Sequence, residues 1–220
     1  MAWIPEKDLA SKFKRVGRGV KISNECLIYG SENIEVGDNV RIDAQTLILC
    51  AAGSLKIGSH VHVASKCLLS CRGGIVMGDF TDISMGAMLI SASDDAGGEH
   101  LVGPVHPEYL TNVFSAPIVM DHYSWIGAGA IVLPGARMGQ GSMLGTFGLL
   151  TPQQKLEPWK IYIGQPARYI KDRAQGMVAK SIDAQKVWDD DMALSTPVAA
   201  LARNDSTRSM HGQLPSTKKI

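Results

Sequence analysis

The residues best suited to proton transfer are two adjacent aspartates and a histidine. Asp94 and Asp95 open a glycine-rich loop in the run SASDDAGG, and His62 lies in the run GSHVHVASK. A carboxylate partly buried under a loop has a raised pKa and can accept a proton, and histidine is the usual general base in proteins. These side chains therefore predict general-base chemistry, in which a nucleophile is freed of its proton.

Each of these residues also has a structural interpretation. Two aspartates at the start of a glycine-rich loop often cap its turns. His62 directly precedes an inward position, so it faces a neighbouring subunit or a cleft, or it is a surface histidine without a role. His100 and His106 lie in the loop and would have to swing into a site. The other histidines are assigned to coil corners or to the C-terminal tail: His60, His122 and His211.

The elements that must position these groups follow a six-residue period. Aliphatic residues or methionines recur at every sixth position between residues 120 and 150, with glycine after several of them and small residues four positions on. Helices repeat their apolar residues every three to four positions and strands every two. A period of six predicts a short strand, a corner and another strand, as in a parallel β-helix. The period comprises Met120, Ile126, Val132, Met138, Leu144 and Leu150.

The same period fills the chain before this stretch. It starts at Val16, Val36, Ile57 and Met77, and slips of two or three residues between these blocks predict bulged corners. From about residue 93 to 116 the period is absent, and it resumes at residue 120. A long loop in a periodic chain is more often functional than decorative.

These patterns predict an all-β solenoid with an inserted loop and a C-terminal helix. Residues 1–15 are expected to cap the first coil, because an open solenoid end exposes strand edges. Residues 16–171 form the predicted β-helix domain. Residues 172–220 are assigned to a C-terminal helix and a mobile tail.

Composition and charge argue against some classes of partner and location. The 220 residues include 22 basic and 21 acidic side chains, which argues against nucleic acid or an anionic membrane as a partner. The sequence shows neither a signal peptide nor an apolar run long enough to span a bilayer, so a cytoplasmic protein is expected. The four cysteines are interpreted as reduced packing residues: Cys26, Cys50, Cys67 and Cys71.

Three runs carry a resemblance to a known family: LISASDD, IGAGAIVLPGARMGQGSM and IYIGQPARYIKDR. Together they resemble the left-handed β-helix, hexapeptide-repeat acetyltransferases, specifically the galactoside-acetyltransferase-like group of surface-polysaccharide enzymes. The resemblance implies a left-handed coil and a homotrimer with its sites at subunit interfaces. It also implies acetyl-CoA as co-substrate, no metal, and a loop that reaches over a neighbouring subunit's active site.

One departure from the family affects the choice of base. The family's histidine ends a TATH-like run, and the matching run here is SASD, which puts Asp94 at that position. The candidate catalytic residues are therefore Asp94, Asp95 and His62. A sugar hydroxyl usually needs a histidine-like base, whereas an amine attacks after losing one proton. Both N-acetylation and O-acetylation remain open from the sequence.

The resemblance also implies a coenzyme A site in the C-terminal coils. Trp125 matches the family's tryptophan before the IG step, and Thr151 matches a threonine in the closing turn. Arg168 and Lys171 match basic residues near the nucleotide phosphates. Backbone groups at four further positions would meet the pantetheine arm: Ala128, Gly129, Gly145 and Thr146.

The sequence thus predicts an acetyl-CoA-dependent acetyltransferase acting on a sugar, free or nucleotide-linked, for surface polysaccharide biosynthesis. A non-catalytic β-helix scaffold is one alternative. A β-helical zinc carbonic anhydrase is another, but that site needs three converging histidines. His60 and His62 alternate along one strand and point to opposite sides, so they are poorly placed to share an ion.

Overall fold

The chain winds into a parallel β-helix in the computed structural model, which describes residues 2–195. Each coil except the last contributes one short strand to each of three sheets, and equivalent strands of successive coils pair in parallel. The last coil has no strand in the third sheet. Arg15 pairs with Glu35 in the first sheet, and Val119 pairs with Arg137 near the other end. The predicted solenoid is confirmed.

The first and third sheets are purely parallel. In spatial order, the first sheet contains β1 (Arg15–Val16), β4 (Ile34–Val36), β7 (Leu55–Ile57), β10 (Ile75–Met77), β15 (Ile118–Met120), β18 (Arg137–Met138) and β21 (Lys155–Leu156). The third contains β3 (Leu27–Tyr29), β6 (Leu47–Leu49), β9 (Leu68–Ser70), β12 (Met88–Ile90), β17 (Ile131–Val132) and β20 (Leu149–Leu150).

The second sheet is parallel except at its last strand. It contains β2 (Lys21–Ile22), β5 (Arg41–Ile42), β8 (His62–Val63), β11 (Asp82–Ile83), β16 (Trp125–Ile126), β19 (Met143–Leu144), β22 (Lys160–Ile163) and β23 (Arg168–Asp172). β23 runs antiparallel to β22 and closes the sheet.

The core is a column of aliphatic side chains inside the coils. Along the second sheet Ile42, Val63, Ile83 and Ile126 are all fully buried. Each is the second residue of its strand, and its predecessor faces outward because strand side chains alternate. The six-residue period therefore marks the inward positions, as the sequence predicted.

Corner residues between the first and second sheets cap one another from coil to coil. The backbone N–H of Arg18 donates to Oδ1 of Asp38 at 2.7 Å, and that of Asp38 donates to Oγ of Ser59 at 3.0 Å. The series continues from the N–H of Ser59 to Oδ1 of Asp79 at 2.7 Å, and from Asp79 to Nδ1 of His122 at 3.0 Å. His122 is thus a corner residue, as predicted.

The interruption of the period is a hairpin with a long connection. β13 (Ala92–Asp94) pairs antiparallel with β14 (Val113–Ser115), and a short 3-10 turn, Glu108–Leu110, lies between them. Asp94 is opposite Val113. The hairpin leaves the solenoid after β12 and returns the chain to the first sheet at β15, so it fixes Asp94 at the base of the loop.

Helices precede and follow the solenoid in the sequence. Before the first coil, α1 (Glu6–Lys12) buries Leu9 completely against the core. The C-terminal helix α2 spans Met177–Ser195, and it belongs to a second unit that begins at Gly176. The helix expected from residue 172 starts later because residues 168–172 form β23 instead. The predicted mobile tail from residue 196 lies outside the described residues.

The cysteines are free thiols within the coils. Burial raises the pKa of the Cys67 thiol to about 11 and raises that of Cys71 further. Inside residues 2–195, no helix has the length and apolarity required to cross a bilayer.

The close approach of successive coils gives a test of the fold. A Cβ placed on Gly58 would lie 2.5 Å from Oδ1 of Asp79 and 2.8 Å from its backbone nitrogen. We expect Gly58→Ala to lower the free energy of unfolding by about 1–3 kcal/mol, the usual cost of overpacking. Denaturant unfolding measures this change. Gly176→Ala is the control, because a Cβ there meets no atom within 4 Å; equal destabilisation by both variants would contradict the explanation.

Candidate functional site

A cavity of about 440 Å³ lies between the inserted loop and a coil corner. Ser70 and Arg72 come from the corner after β9, and Asp94 comes from the first strand of the hairpin. His106 and Glu108 extend from the loop itself. The cavity is therefore lined by both cationic and anionic side chains, which suits a polar ligand that carries both charges.

Asp94 is the predicted site residue that lines this cavity. Its Oδ2 accepts a long hydrogen bond of 3.3 Å from the backbone N–H of Gly103, across the loop. The hairpin pairing with Val113 fixes its backbone. The carboxylate is solvent-exposed and keeps lone pairs available, so it can accept hydrogen bonds from a ligand.

Arg72 and His106 have no ionic partner among the described residues. Within residues 2–195, no ion pair or side-chain hydrogen bond engages Arg72 or His106. A guanidinium offers five N–H donors in a fixed fork that matches carboxylate and phosphate groups. Arg72 is therefore suited to an anionic part of a ligand. Arg72 was not predicted from the sequence, because it lies in a corner where the six-residue period is interrupted. The period therefore does not indicate the direction of its side chain.

Asp95 is turned to the loop instead of the cavity. Its Oδ2 lies 2.8 Å from Nδ1 of His100, and its Oδ1 accepts from the N–H of Gly97 at 2.7 Å. The hydrogen bond from His100, helped by that of Gly97, lowers the pKa of Asp95. Asp95 thus has the turn-capping role that was its structural alternative, and a carboxylate with a lowered pKa is a poor base.

His62 lies on the outer face of the second sheet, between two carboxylates. Its Nδ1 is 2.9 Å from Oδ1 of Asp82, and its Nε2 is 3.0 Å from Oδ2 of Asp43. Carboxylates only accept, so both bonds require a doubly protonated ring. The hydrogen bond to Asp82, and then that to Asp43, raises the pKa of His62. Neither ring nitrogen is left to accept a proton from a substrate.

The neighbours of His62 complete an ion network. Nε of Arg41 donates to Oδ1 of Asp43 at 2.7 Å. Burial opposes ionisation of Asp43, but hydrogen bonds from Arg41 and His62 lower its pKa. Arg41, His62 and Asp82 are register partners on consecutive strands. The network therefore ties three coils together.

Trp125 is one strand further along the same outer face, next to Asp82 in the register. Its Nε1 donates to Oγ of Ser84 at 2.9 Å. The Arg173 guanidinium lies over the indole ring, 5.9 Å from its centre. Ser84 and Arg173 were not singled out from the sequence. The spacing between coils would have placed Ser84 beside the tryptophan, whereas nothing in the sequence places Arg173 there.

The glycines expected to meet the pantetheine arm have their N–H groups engaged. The N–H of Gly129 donates to Met85 O at 2.9 Å, and that of Gly145 donates to Tyr162 O at 2.8 Å. Ala128 accepts from the N–H of Phe147. The backbone groups of these corner residues are therefore already hydrogen-bonded, and their small side chains are what would let a ligand approach closely. Thr146, in the same corner as Gly145, is exposed.

The remaining predicted coenzyme A residues lie near the end of the solenoid. Both Thr151 N–H and Oγ1 donate to Oε1 of Gln154, at 3.1 and 3.0 Å, which closes the turn after β20. Arg168 and Lys171 are exposed along β23. No hydrogen bond joins these residues to Asp94 or Trp125, so the described chain contains separate groups of candidate residues.

The described side chains do not form a metal-binding cluster. Over the described range 2–195, no group of three or more His, Cys, Asp or Glu residues is placed to hold an ion. His60 stacks on the ring of Phe80, with centroids 4.6 Å apart, at a coil corner. The histidines required for a zinc carbonic anhydrase do not converge there.

Comparison with known proteins identifies relatives of matching length. No protein-family profile matches the chain. The chain is 30% identical over 179 residues to the dTDP-4-amino-4,6-dideoxy-D-glucose acyltransferase of Escherichia coli, covering 81% of this chain and 92% of that protein. It is 31% identical to AntD, an N-acyltransferase from Bacillus cereus solved with dTDP and 3-hydroxybutyryl-CoA, with a TM-score of 0.78. That match covers 85% of this chain and 98% of AntD.

Two further findings come from solved structures. AntD was also solved with substitutions of its residues Asp94 and Ser84, in complexes with coenzyme A and either dTDP or dTDP-4-amino-4,6-dideoxyglucose. A hexapeptide-repeat acetyltransferase from Vibrio cholerae, complexed with acetyl coenzyme A, has a TM-score of 0.51 at 18% identity. It covers 76% of this chain and 75% of its own, and shows the shared fold.

The His62 network predicts a pH dependence of stability. A histidine whose folded pKa is raised stabilises the fold fully below its unfolded pKa of about 6.5, and that contribution is lost as pH rises through the folded pKa. We expect the difference in Tm between wild type and His62→Gln to be largest near pH 6 and to shrink at alkaline pH. Thermal melts across this range measure it; a difference that grows with pH would contradict the charged ring.

Proposed function

The chain belongs to the sugar N-acyltransferases, and we propose that it transfers an acyl group from a coenzyme A thioester to the amino group of a nucleotide-linked amino sugar. The observation that carries the proposal is the cavity that Asp94, Arg72 and His106 line together. AntD and the Escherichia coli relative act as acyltransferases, and AntD binds dTDP and an acyl-CoA. Both similarities extend over most of this chain.

The reaction needs little acid–base machinery. The neutral amine attacks the thioester carbonyl carbon, the new C–N bond forms, and the C–S bond breaks. The nitrogen loses one proton, and the departing sulfur gains one as coenzyme A leaves as a thiol. In this proposal the Asp94 carboxylate accepts a hydrogen bond from the amino group and aims its lone pair at the carbonyl carbon.

The choice of an amine over a hydroxyl follows from Asp94, the carboxylate that lines the cavity, and from the N-acyltransferase to which the chain is similar. A sugar hydroxyl needs a base that removes its proton during attack. His62 is not such a base, because both of its ring nitrogens are bonded to carboxylates. An amine is nucleophilic once it is neutral, so an exposed carboxylate that orients it is sufficient.

The nucleotide link is supported by two other residues of the cavity. Arg72 and His106 line it, and neither side chain is engaged in an ion pair within residues 2–195. A diphosphate carries negative charges that a guanidinium can bind in bidentate fashion. A free amino sugar offers no such group. The cavity thus combines a carboxylate suited to an amine with a guanidinium suited to a phosphate.

The donor and the assembly belong to the same proposal. Coenzyme A would run along the C-terminal coils past Trp125, toward Arg168 and Lys171. Asp94 and Trp125 lie on different sheets of one chain, so a homotrimer would allow them to meet across a subunit boundary. Exposed apolar residues on the third sheet, including Leu27, Tyr29 and Met88, support such packing. A cytoplasmic role in surface polysaccharide biosynthesis completes the proposal.

Asp94→Asn tests the proposed orientation of the amine. Loss of a hydrogen bond to a charged group costs about 1.5–3 kcal/mol, so we expect kcat to fall about 10- to 100-fold. Thiol release from acyl-CoA with a nucleotide-linked amino sugar measures it. Asp95→Asn is the matched control and should stay near wild type. Retention of full activity by Asp94→Asn would contradict the assigned role, and no turnover in wild type with any amino sugar would favour the scaffold.

Arg72→Gln tests the nucleotide link. We expect KM for the nucleotide-linked amino sugar to rise about tenfold, with KM for acyl-CoA unchanged, because only the sugar substrate would contact the guanidinium. Steady-state kinetics with each substrate varied in turn measure both constants. Exposed Arg137 on the first sheet provides Arg137→Gln as a control. Equal KM values for the sugar in wild type and Arg72→Gln would remove Arg72 from the site.

A further inference from the structure

We propose that Arg173 and Trp125 are positioning residues that hold the Ser84 hydroxyl as a hydrogen-bond donor to the thioester during acyl transfer. The inference rests on the proposed function and adds residues to it. The three residues lie next to three strands of the second sheet. Ser84 follows β11, Trp125 is the first residue of β16, and Arg173 follows β23. Their side chains form one continuous series of contacts.

The series begins at Arg173, whose side chain is anchored to the backbone. Its Nη1 donates to Tyr123 O at 3.0 Å and to Gly141 O at 2.9 Å, and its own N–H donates to Trp159 O at 2.8 Å. Burial lowers the pKa of Arg173. No carboxylate in the described part of the chain pairs with it. An ion-pair role therefore does not explain this half-buried charge.

Arg173 restrains the ring of Trp125. A guanidinium over an aromatic face is attracted by the ring and fixes its tilt. In this orientation Nε1 of Trp125 donates to Oγ of Ser84 at 2.9 Å. An indole is a donor only, so this bond has a fixed direction. Ser84 accepts it, and the hydroxyl proton of Ser84 is left to point elsewhere.

The surroundings of Ser84 leave that proton free. The backbone N–H of Ser84 donates to Ile126 O at 2.9 Å, and its carbonyl accepts from Cys67 Sγ at 3.3 Å. Among residues 2–195, no acceptor engages the Ser84 hydroxyl. The next coils on either side hold Ala64 and Gly127 at the equivalent position, since Asp82 pairs with His62 and Trp125. Small neighbours leave the hydroxyl uncovered.

A hydroxyl that already accepts a hydrogen bond is a stronger donor, because the bonds polarise one another. When an amine attacks a thioester, the carbonyl oxygen gains negative charge, and a fixed donor at that oxygen lowers the barrier. AntD has a serine of the same number, and its S84A and S84C forms were solved with the amino sugar nucleotide and coenzyme A. This supports Ser84 as part of the reacting region.

The test uses Trp125→Phe, which keeps the ring but removes its N–H. We expect kcat for acyl transfer to fall about tenfold, with KM for acyl-CoA within about twofold of wild type. Ser84→Ala should lower kcat by a similar or larger factor. If Trp125 acts through Ser84, the double variant should be no slower than Ser84→Ala alone.

Arg173 is tested by two variants. Arg173→Gln keeps a donor but removes the charge, and Arg173→Lys keeps the charge; we expect the lysine variant to retain more activity. Thermal melts show whether either variant is unfolded, and Trp125→Phe gives a result that does not depend on them. Arg137→Gln is the charge-loss control.

Three results would overturn the inference while the proposed function stands. One is wild-type turnover in Trp125→Phe; a second is a rise in KM for acyl-CoA without loss of kcat, which would mean that the Trp125 N–H serves coenzyme A binding and not Ser84. Multiplicative effects in the double variant would also contradict it. Absence of acyl transfer in wild type would overturn the proposed function itself, and this inference with it.

Discussion

The parallel hydrogen bonding between successive coils is the constraint on which the rest of the molecule depends. It sets each residue directly over its counterpart in the next coil, so neighbours in space are one coil apart in sequence. His62 meets Asp82 in this way; Trp125 lies next to Asp82 in the register, and its indole reaches the neighbouring Ser84. Corners must pass within contact distance of the next corner, which leaves no room for a side chain at Gly58. The chain can leave this order where the coil is interrupted, and Asp94 lies at that interruption.

The aspartates differ in whether their carboxylates are already bonded within the protein or are free to contact a ligand. Asp43, Asp82 and Asp95 are each bonded to a histidine, and these contacts hold coils or loop turns in place. Asp94 has one long backbone contact and faces a cavity. Adjacent aspartates in the sequence therefore have different tasks. The difference arises because the hairpin directs Asp94 toward the cavity while Asp95 caps the loop.

The six-residue period predicted the solenoid, the inserted loop and the inward residues, because inward positions must be apolar at every coil. It also placed Asp94 at the start of the loop. It did not predict that His62 would be enclosed by carboxylates, because the coils of the first half vary in length and the period alone does not set which residues of successive coils pair. Arg72 was not predicted because it lies in a corner where the six-residue period is interrupted, and Arg173 was not predicted because it lies beyond the last strand. At neither position does the period indicate the direction of the side chain. The resemblance supplied Trp125, but its hydrogen bond to Ser84 needed the structure.

In the proposed complex, the loop cavity holds the amino sugar with its amine at Asp94. A crystal structure of the protein with coenzyme A and a nucleotide-linked amino sugar is the decisive test. We expect the amino nitrogen within hydrogen-bond distance of the Asp94 carboxylate and a phosphate within reach of Arg72. An amino sugar bound away from this cavity, with Asp94 in contact with solvent alone, would contradict it.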